Sequence, residues 1–171
     1  MSLKDYLIID GYNVINAWPI LYSIGQKNLE DARSQLIEMM AEYQSFKGIR
    51  VIIVFDAHLV KKSMEKTEKK FGIEVVYTKE KETADSYIER LIVNLSRKNR
   101  VVVATNDLVE QQMVLGSGAT RTSVRELIID YNNVKERIHK RIDALKVQKI
   151  DLSNRMSDEI LEKLEKFRRK L

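Results

Sequence analysis

Four short runs constrain this chain more than anything else in it: YLIID (Tyr6 to Asp10), RVIIVF (Arg50 to Phe55), IEVVYT (Ile73 to Thr78) and RVVVAT (Arg100 to Thr105). A strand with one wet face alternates apolar and polar residues. Runs almost continuous in Val and Ile must be covered on both faces, as happens in a parallel sheet sandwiched between helices. The intervening segments agree. Leu29, Ala32, Leu36, Ile37, Met40 and Tyr43 recur at helical spacing before Gly48, which ends the helix. Ala84, Ile88, Leu91 and Leu95 repeat the pattern, with Thr83 as N-cap and Asp85 in the first turn. Strands alternating with helices at this spacing predict an α/β sandwich built from right-handed crossovers, with a mainly parallel central sheet of four or five strands.

Other segments read less regularly. The polar stretch MEKTEKKFG between the second and third runs predicts a short exposed helix, and NAWPILYSIG, which carries the single proline Pro19, a loop. A helix is expected after Asp107, running to about Leu115, where GSG breaks it. Ser123 and Glu126 have the spacing of a capping box opening a helix to about Leu145, and Ser157 is placed to cap a second one carrying Ile160, Leu161, Leu164 and Phe167 on one stripe. The 171 residues suit one core. The expected organisation is a core over 1–134 and a helical extension over 135–171 packed on the same domain.

Charge separates those two parts. Residues 1–134 hold 18 Lys and Arg against 18 Asp and Glu, whereas residues 135–171 hold 12 against 7. The whole net charge of +5 therefore sits in the extension. A basic end on a neutral globule suits a polyanion such as nucleic acid, because cations near phosphates release condensed counterions. With no cysteine, disulfide scaffolds, thiolate zinc sites and cysteine nucleophiles are excluded. No stretch approaches the roughly 20 apolar residues of a membrane span, and no signal-peptide pattern opens the chain, so the expectation is a cytoplasmic protein with no membrane partner.

Chemistry concentrates at the strand ends. Asp10, Asp56 and Asp107 follow three of the four runs, and TKEKETAD brings Glu82 and Asp85 to the start of a helix after the third. In an open parallel sheet all strand C-termini lie on one edge, where such folds bind ligands. Carboxylates gathered there raise one another's pKa, and a hard divalent cation with oxygen ligands, Mg²⁺ or Mn²⁺, relieves the repulsion. Such ions organise phosphoryl chemistry. Singly, each acid has an ordinary explanation: Asp56 ends a strand, Asp107 caps a helix, Glu82 is solvated. Asp10, Asp85 and Asp107 together on one edge favour the site. His58, after the second strand, is more often a loop or packed residue than a base or ligand, and His139 lies among charged residues on a helix.

Competing α/β chemistries lack their motifs. DGYNV has no G-x-G-x-x-G, no P-loop is present, and GSGAT has the wrong order for an esterase elbow. A phosphoacceptor receiver domain would want an acidic pair at the first strand and a late strand ending in Lys, and neither is found.

With DGYN at the first strand, FDAH at the second, TAD opening a helix and ATND at the fourth, the sequence resembles the NYN domain family of PIN-like nucleases, specifically its YacP-like branch. AWP, MAEYQS, KETADSYIE, GSGATRTSVREL and the basic C-terminal helices extend the resemblance over nearly the whole chain. It implies a three-layer PIN-like, Rossmann-like fold and a ribosome-associated, metal-dependent endoribonuclease acting on messenger RNA. By the same resemblance Asp10, Asn13, Asp85 and Asp107 form the active site, with Asp10 as a metal ligand and Asn13 positioning ligand or phosphate. Asp56 matches a motif acid close by, and Asn106 stands where family patterns often carry a second acid. The implied reaction is in-line attack of an activated water on a phosphodiester, leaving a 5′-phosphate and a 3′-hydroxyl, with no small-molecule cofactor.

RNA-facing candidates follow from chemistry. Gly116, Ser117, Gly118, Thr120, Arg121, Ser123 and Arg125 combine flexible backbone, hydroxyls and two cations near a helix start. Tyr12 has a ring suited to base stacking, as has Trp18, for which a packed anchor beside Pro19 is favoured. Lys135, Arg137, Lys140, Arg141, Arg168, Arg169 and Lys170 are candidates for ribosomal RNA contact. Two classes of function are therefore expected to compete: the endoribonuclease, and a non-catalytic RNA- or ribosome-binding module on the same fold. The complete set Asp10, Asn13, Asp85 and Asp107 favours the enzyme.

Overall fold

The computed structural model describes residues 4–56, 66–107, 112 and 114–168. His58, Arg169, Lys170 and most of the helix expected after Asp107 lie outside that set. By internal contacts the chain divides into two units, Met1–Asn132 and Asn133–Leu171.

The first unit holds a six-stranded sheet, one more strand than the upper expectation. Its elements are β1 (Asp5–Asp10), β2 (Arg50–Phe55), β3 (Lys66–Lys70), β4 (Ile73–Tyr77), β5 (Arg100–Ala104) and β6 (Thr120–Thr122), in spatial order β3-β4-β2-β1-β5-β6. All pairings are parallel except β3 with β4. The four apolar runs are β1, β2, β4 and β5, and their inner residues are buried as continuous apolar runs require.

The additional strands come from polar sequence. KTEKK forms β3 instead of a helix, joined to β4 by a turn at Phe71 and Gly72. Both turn residues have positive φ, 50° and 85°, as a two-residue hairpin demands. As an outer strand, β3 needs no apolar face, only the backbone edge of β4.

Helices cover both faces. α1 (Gly11–Ala17), α2 (Pro19–Lys27) and α3 (Leu29–Lys47) form one layer; α4 (Ala84–Leu95) forms the other. Strand alternation allots the core between them. Ile8, Ile52, Val54, Val76, Val101 and Val103 pack with Ile88 and Ile92 of α4, leaving Leu7, Ile9, Ile53 and Phe55 for the opposite face. The expected loop NAWPILYSIG is largely helical. Pro19 occupies the first position of α2, where its missing N–H is not needed, and Trp18 caps α1, buried edge-on against Tyr131 at 5.3 Å. α3 ends at Gly48 with φ 67°, and Thr83 caps α4.

The last element, α5 (Val124–Arg168), is one continuous helix where two were expected. Its capping box is formed: Ser123 N donates to Glu126 Oε2 at 2.7 Å and Glu126 N to Ser123 Oγ at 3.1 Å. Ser157 caps nothing; its hydroxyl donates to the Ser153 carbonyl within the helix. No helix among the described residues is long and apolar enough to cross a membrane.

The strand order matters for function. The chain moves from β1 through β2 to β4 on one side, then returns past β1 to β5 on the other. The direction of winding therefore reverses between β1 and β5, the point at which open α/β sheets form a crevice beyond the C-terminal ends of their strands.

Candidate active site at the strand C-termini

Asp10 ends β1 beside that crevice and also caps α1, its Oδ1 accepting from Asn13 N at 3.3 Å. The tight entry into α1 depends on Gly11. A Cβ there would stand 2.3 Å from Cε1 of buried Phe55, so only glycine lets the helix start against the sheet. Across the crevice Asn13 Oδ1 accepts from Asn106 N at 2.9 Å, and Asn106 Oδ1 from Val124 N at 3.0 Å. This relay ties the end of β1 to the segment after β5 and to the first turn of α5. The backbone donor fixes the orientation of the Asn13 amide and leaves its Nδ2 as a donor.

Asp107 follows on the same segment, its N–H held by Thr105 Oγ1 at 3.0 Å. From the other side Asp56 Oδ2 accepts from Ala84 N at 3.4 Å, placing it at the start of α4 near Asp85. The other three acids, Asp56, Asp85 and Asp107, are close enough to act on Asp10 electrostatically. Burial first, then the charges of Asp85, Asp107 and Asp56, push the Asp10 carboxyl up from an ordinary 3.8 to about 6, against the opposing hydrogen bond from Asn13.

Glu82 is differently placed. It precedes the helix, since α4 starts at Ala84, and its N–H closes a turn on the Lys79 carbonyl. It therefore does not share a helix face with Asp85. Its Oε1 pairs with Arg90 at 2.7 Å, while Oε2 is buried without a hydrogen-bond partner among the described residues.

Among the described residues no three acidic or histidine side chains draw together tightly enough to grip a metal directly. Mg²⁺ keeps several waters and takes one or two protein carboxylates plus substrate phosphate. The oxygen-only donors and the raised Asp10 carboxyl fit such a cation.

Sequence reasoning missed one cation. Arg33, in α3, donates from Nη1 to the Tyr12 hydroxyl at 3.0 Å. Tyr12 in turn meets Phe55 at 5.1 Å between ring centroids, and Phe55 stacks on Tyr77 at 5.6 Å. An arginine in the second turn of α3, twenty residues after the DGYN motif, carries no local signal. Only the packing of α3 beside α1 brings it there.

The other candidates are dispersed. Arg121 Nε donates to the Thr105 carbonyl at 3.4 Å, bracing β6 behind the Asp107 segment. Ser123 is committed to the capping box, and Arg125 is exposed beside it. Lys140 and Arg141 belong to the second unit and are exposed.

A family model, the YacP-like NYN domain, matches residues 7–169. YacP of Bacillus subtilis (strain 168) is 45% identical over 166 residues, spanning 96% of this chain and 97% of its own. The crystal structure of Rae1 (YacP) from Bacillus subtilis superposes with a TM-score of 0.74 at 44% identity, covering 99% of this chain and 95% of that one. Its W164L mutant gives 0.74 at 43% identity over 83% and 84%. With an α/β sheet whose DGYN, TAD and ATND motifs meet at one crevice, this chain belongs to the YacP-like NYN domain family.

Proposed function

We propose that this protein is a metal-dependent endoribonuclease that cuts messenger RNA in the cytoplasm, in association with the ribosome. The observation carrying the proposal is the convergence of Asp10, Asp56, Asp85 and Asp107 on the crevice where the sheet reverses its winding. Family membership and the likeness to Rae1 support the nuclease reading.

Asp10, Asp85 and Asp107 are the residues that would hold Mg²⁺ or Mn²⁺, with Asp56 and Glu82 at the margin. A cation there neutralises phosphodiester charge and acidifies water. The chain's own residues do the rest. Asn13 presents its Nδ2 donor to a phosphate oxygen while its Oδ1 keeps the Asp107 segment in register with Asp10. Arg33, held by a neutral phenol, offers its remaining donors to a neighbouring phosphate. Tyr12, backed by Phe55 and Tyr77, offers a ring for an unpaired base. Water attacks phosphorus in line with the departing 3′-oxygen, giving a 5′-phosphate and a 3′-hydroxyl. Arg125 is a further candidate for phosphate contact in the first unit, as is Arg121 through the donors it does not give to Thr105, and Lys140 and Arg141 are separate candidates for RNA contact within the second unit. These groups meet backbone rather than base edges, so the site itself reads no sequence.

The test is cleavage of one messenger RNA, naked and on translating ribosomes, with Mg²⁺, by wild type and Asp107→Asn. Cleavage by wild type alone is expected. Ribosome binding without cleavage of either form by wild type would favour the non-catalytic binding module instead.

A further inference from the structure

From Arg141 to Arg168 every residue of α5 is exposed, and the exposed side chains include large apolar ones. Leu145, Leu152, Met156, Ile160, Leu164 and Phe167 are each between 53% and 76% exposed. With Ile142 they recur at intervals of three, four or seven residues, which places them in a stripe about 120° wide on the helix surface. A stripe that wide is the kind of face a helix buries against another element, and Val147, Ile150 and Leu161 are exposed beside it. Exposed apolar surface of this extent marks an interface rather than a resting solvent face.

The flanking charges select the occupant. Between residues 140 and 149 stand Lys140, Arg141, Lys146 and Lys149 against Asp143, a net of +3. Between residues 156 and 165 stand Asp158, Glu159, Glu162 and Glu165 against Lys163, a net of −3. A second copy laid antiparallel, with its midpoint near residues 152 and 153, brings each basic block opposite the partner's acidic block. A parallel copy in register stacks like charge on like. In the antiparallel register Leu145 meets the partner's Ile160 and Lys149 meets its Met156, so the lysine stem covers the seam and its head reaches the acidic block.

The area is sufficient. Taking about 150 to 200 Å² for a large apolar residue, the stripe exposes on the order of 700 Å² per copy, hence ~1,400 Å² for two, within the ~1,200–2,000 Å² of stable interfaces. The ion pairs inside one helix, Arg155 with Asp151 and Lys166 with Glu162, are exposed and exchange at little cost. We propose that the α5 segment of the second unit pairs antiparallel with the same segment of a second copy, making the protein a homodimer.

Sedimentation equilibrium of the full chain between about 1 and 100 μM tests this. Twice the 20.0 kDa chain mass is expected, with Leu152→Asp weakening the dimer at least tenfold. Lys146→Glu with Lys149→Glu should weaken self-association, and so should Glu159→Lys with Glu162→Lys, while an equal mixture of the two variants restores dimer. Because the chain has no cysteine, Ser153→Cys offers a single thiol that should crosslink to its own counterpart, whereas Leu145→Cys should not. A monomer at every concentration overturns the proposal, as does a dimer insensitive to Leu152→Asp. Crosslinking at Leu145→Cys would overturn the antiparallel arrangement. A monomer whose RNA binding is lost with Leu152→Asp would assign the stripe to RNA.

Discussion

The two ends of the sheet both carry acids, and they treat them in opposite ways. At the N-terminal end Asp130 accepts from the Tyr43 hydroxyl at 2.5 Å and meets Lys47 at 2.9 Å, and Asp5 lies 3.9 Å from Arg100. These groups line a cavity of about 300 Å³ with the apolar Leu7, Ile49, Val102 and Leu127. Asp130 and Asp5 have each met a cation within the chain. At the C-terminal end Asp10 is instead surrounded by Asp56, Asp85 and Asp107, and its carboxyl rises to about 6. The first arrangement is complete as folded. The second is where we propose that a divalent cation from outside binds, and under that proposal the difference would separate the structural end of the sheet from its working end.

The comparison breaks most readily through activity. Asp10→Asn and Asp107→Asn should each lower RNA cleavage by at least ~100-fold, the scale of losing one preorganised electrostatic group. Removing acids at the other end, as in Asp5→Asn, should leave cleavage near wild type. Quenched cleavage assays at saturating Mg²⁺ decide between these outcomes, and chelation of the metal should reproduce the loss in wild type.

Stability should move the other way. A carboxyl whose pKa rises from 3.8 unfolded to about 6 folded binds more protons in the native state between those values, so its contribution is destabilising above pH 6 and absent below about pH 4. The upper bound at pH 7 is ~3 kcal/mol. Asp10→Asn keeps an acceptor for Asn13 N, so it should be more stable than wild type at pH 7 without metal, and equal to it near pH 4. Urea unfolding at the two pH values measures the difference. Mg²⁺ should stabilise wild type more than the variant.

Gly11→Ala tests the backbone beneath the same site. Its Cβ would collide with Phe55, which is fully buried, so a loss of ~1–3 kcal/mol with reduced cleavage is expected. The smallest effect belongs to the completed end. Tyr43→Phe removes one hydrogen bond to Asp130 while Lys47 remains, and should cost about 1 kcal/mol with cleavage unchanged.

How much of this was legible in the chain depends on where each residue draws its partners. β1, β2, β4 and β5 declare themselves because burial on both faces forces continuous Val and Ile. KTEKK declares nothing, because the edge strand β3 is held by backbone pairing and exposes its side chains. TRT is too short to show a period. Pro19 and Ser157 mislead for a shared reason: each residue type has two common settings, and the alternative ones, helix position N1 and a bond back to the preceding turn, are the ones found. Asp10, Asp56 and Asp107 are legible because each stands at a strand end that the sheet must align, and Asp85 because Thr83 marks the start of its helix. Asn106 and Arg33 are not, since one acts through Asn13 and Val124 and the other reaches Tyr12 from a different helix.

The most direct measurement is a carboxyl titration of Asp10 by carbon-13 NMR, with and without Mg²⁺. The account predicts a midpoint near 6 in metal-free protein that falls when Mg²⁺ is added, because a bound cation reverses the field of Asp56, Asp85 and Asp107. A midpoint near the ordinary 3.8, unmoved by Mg²⁺, would contradict it.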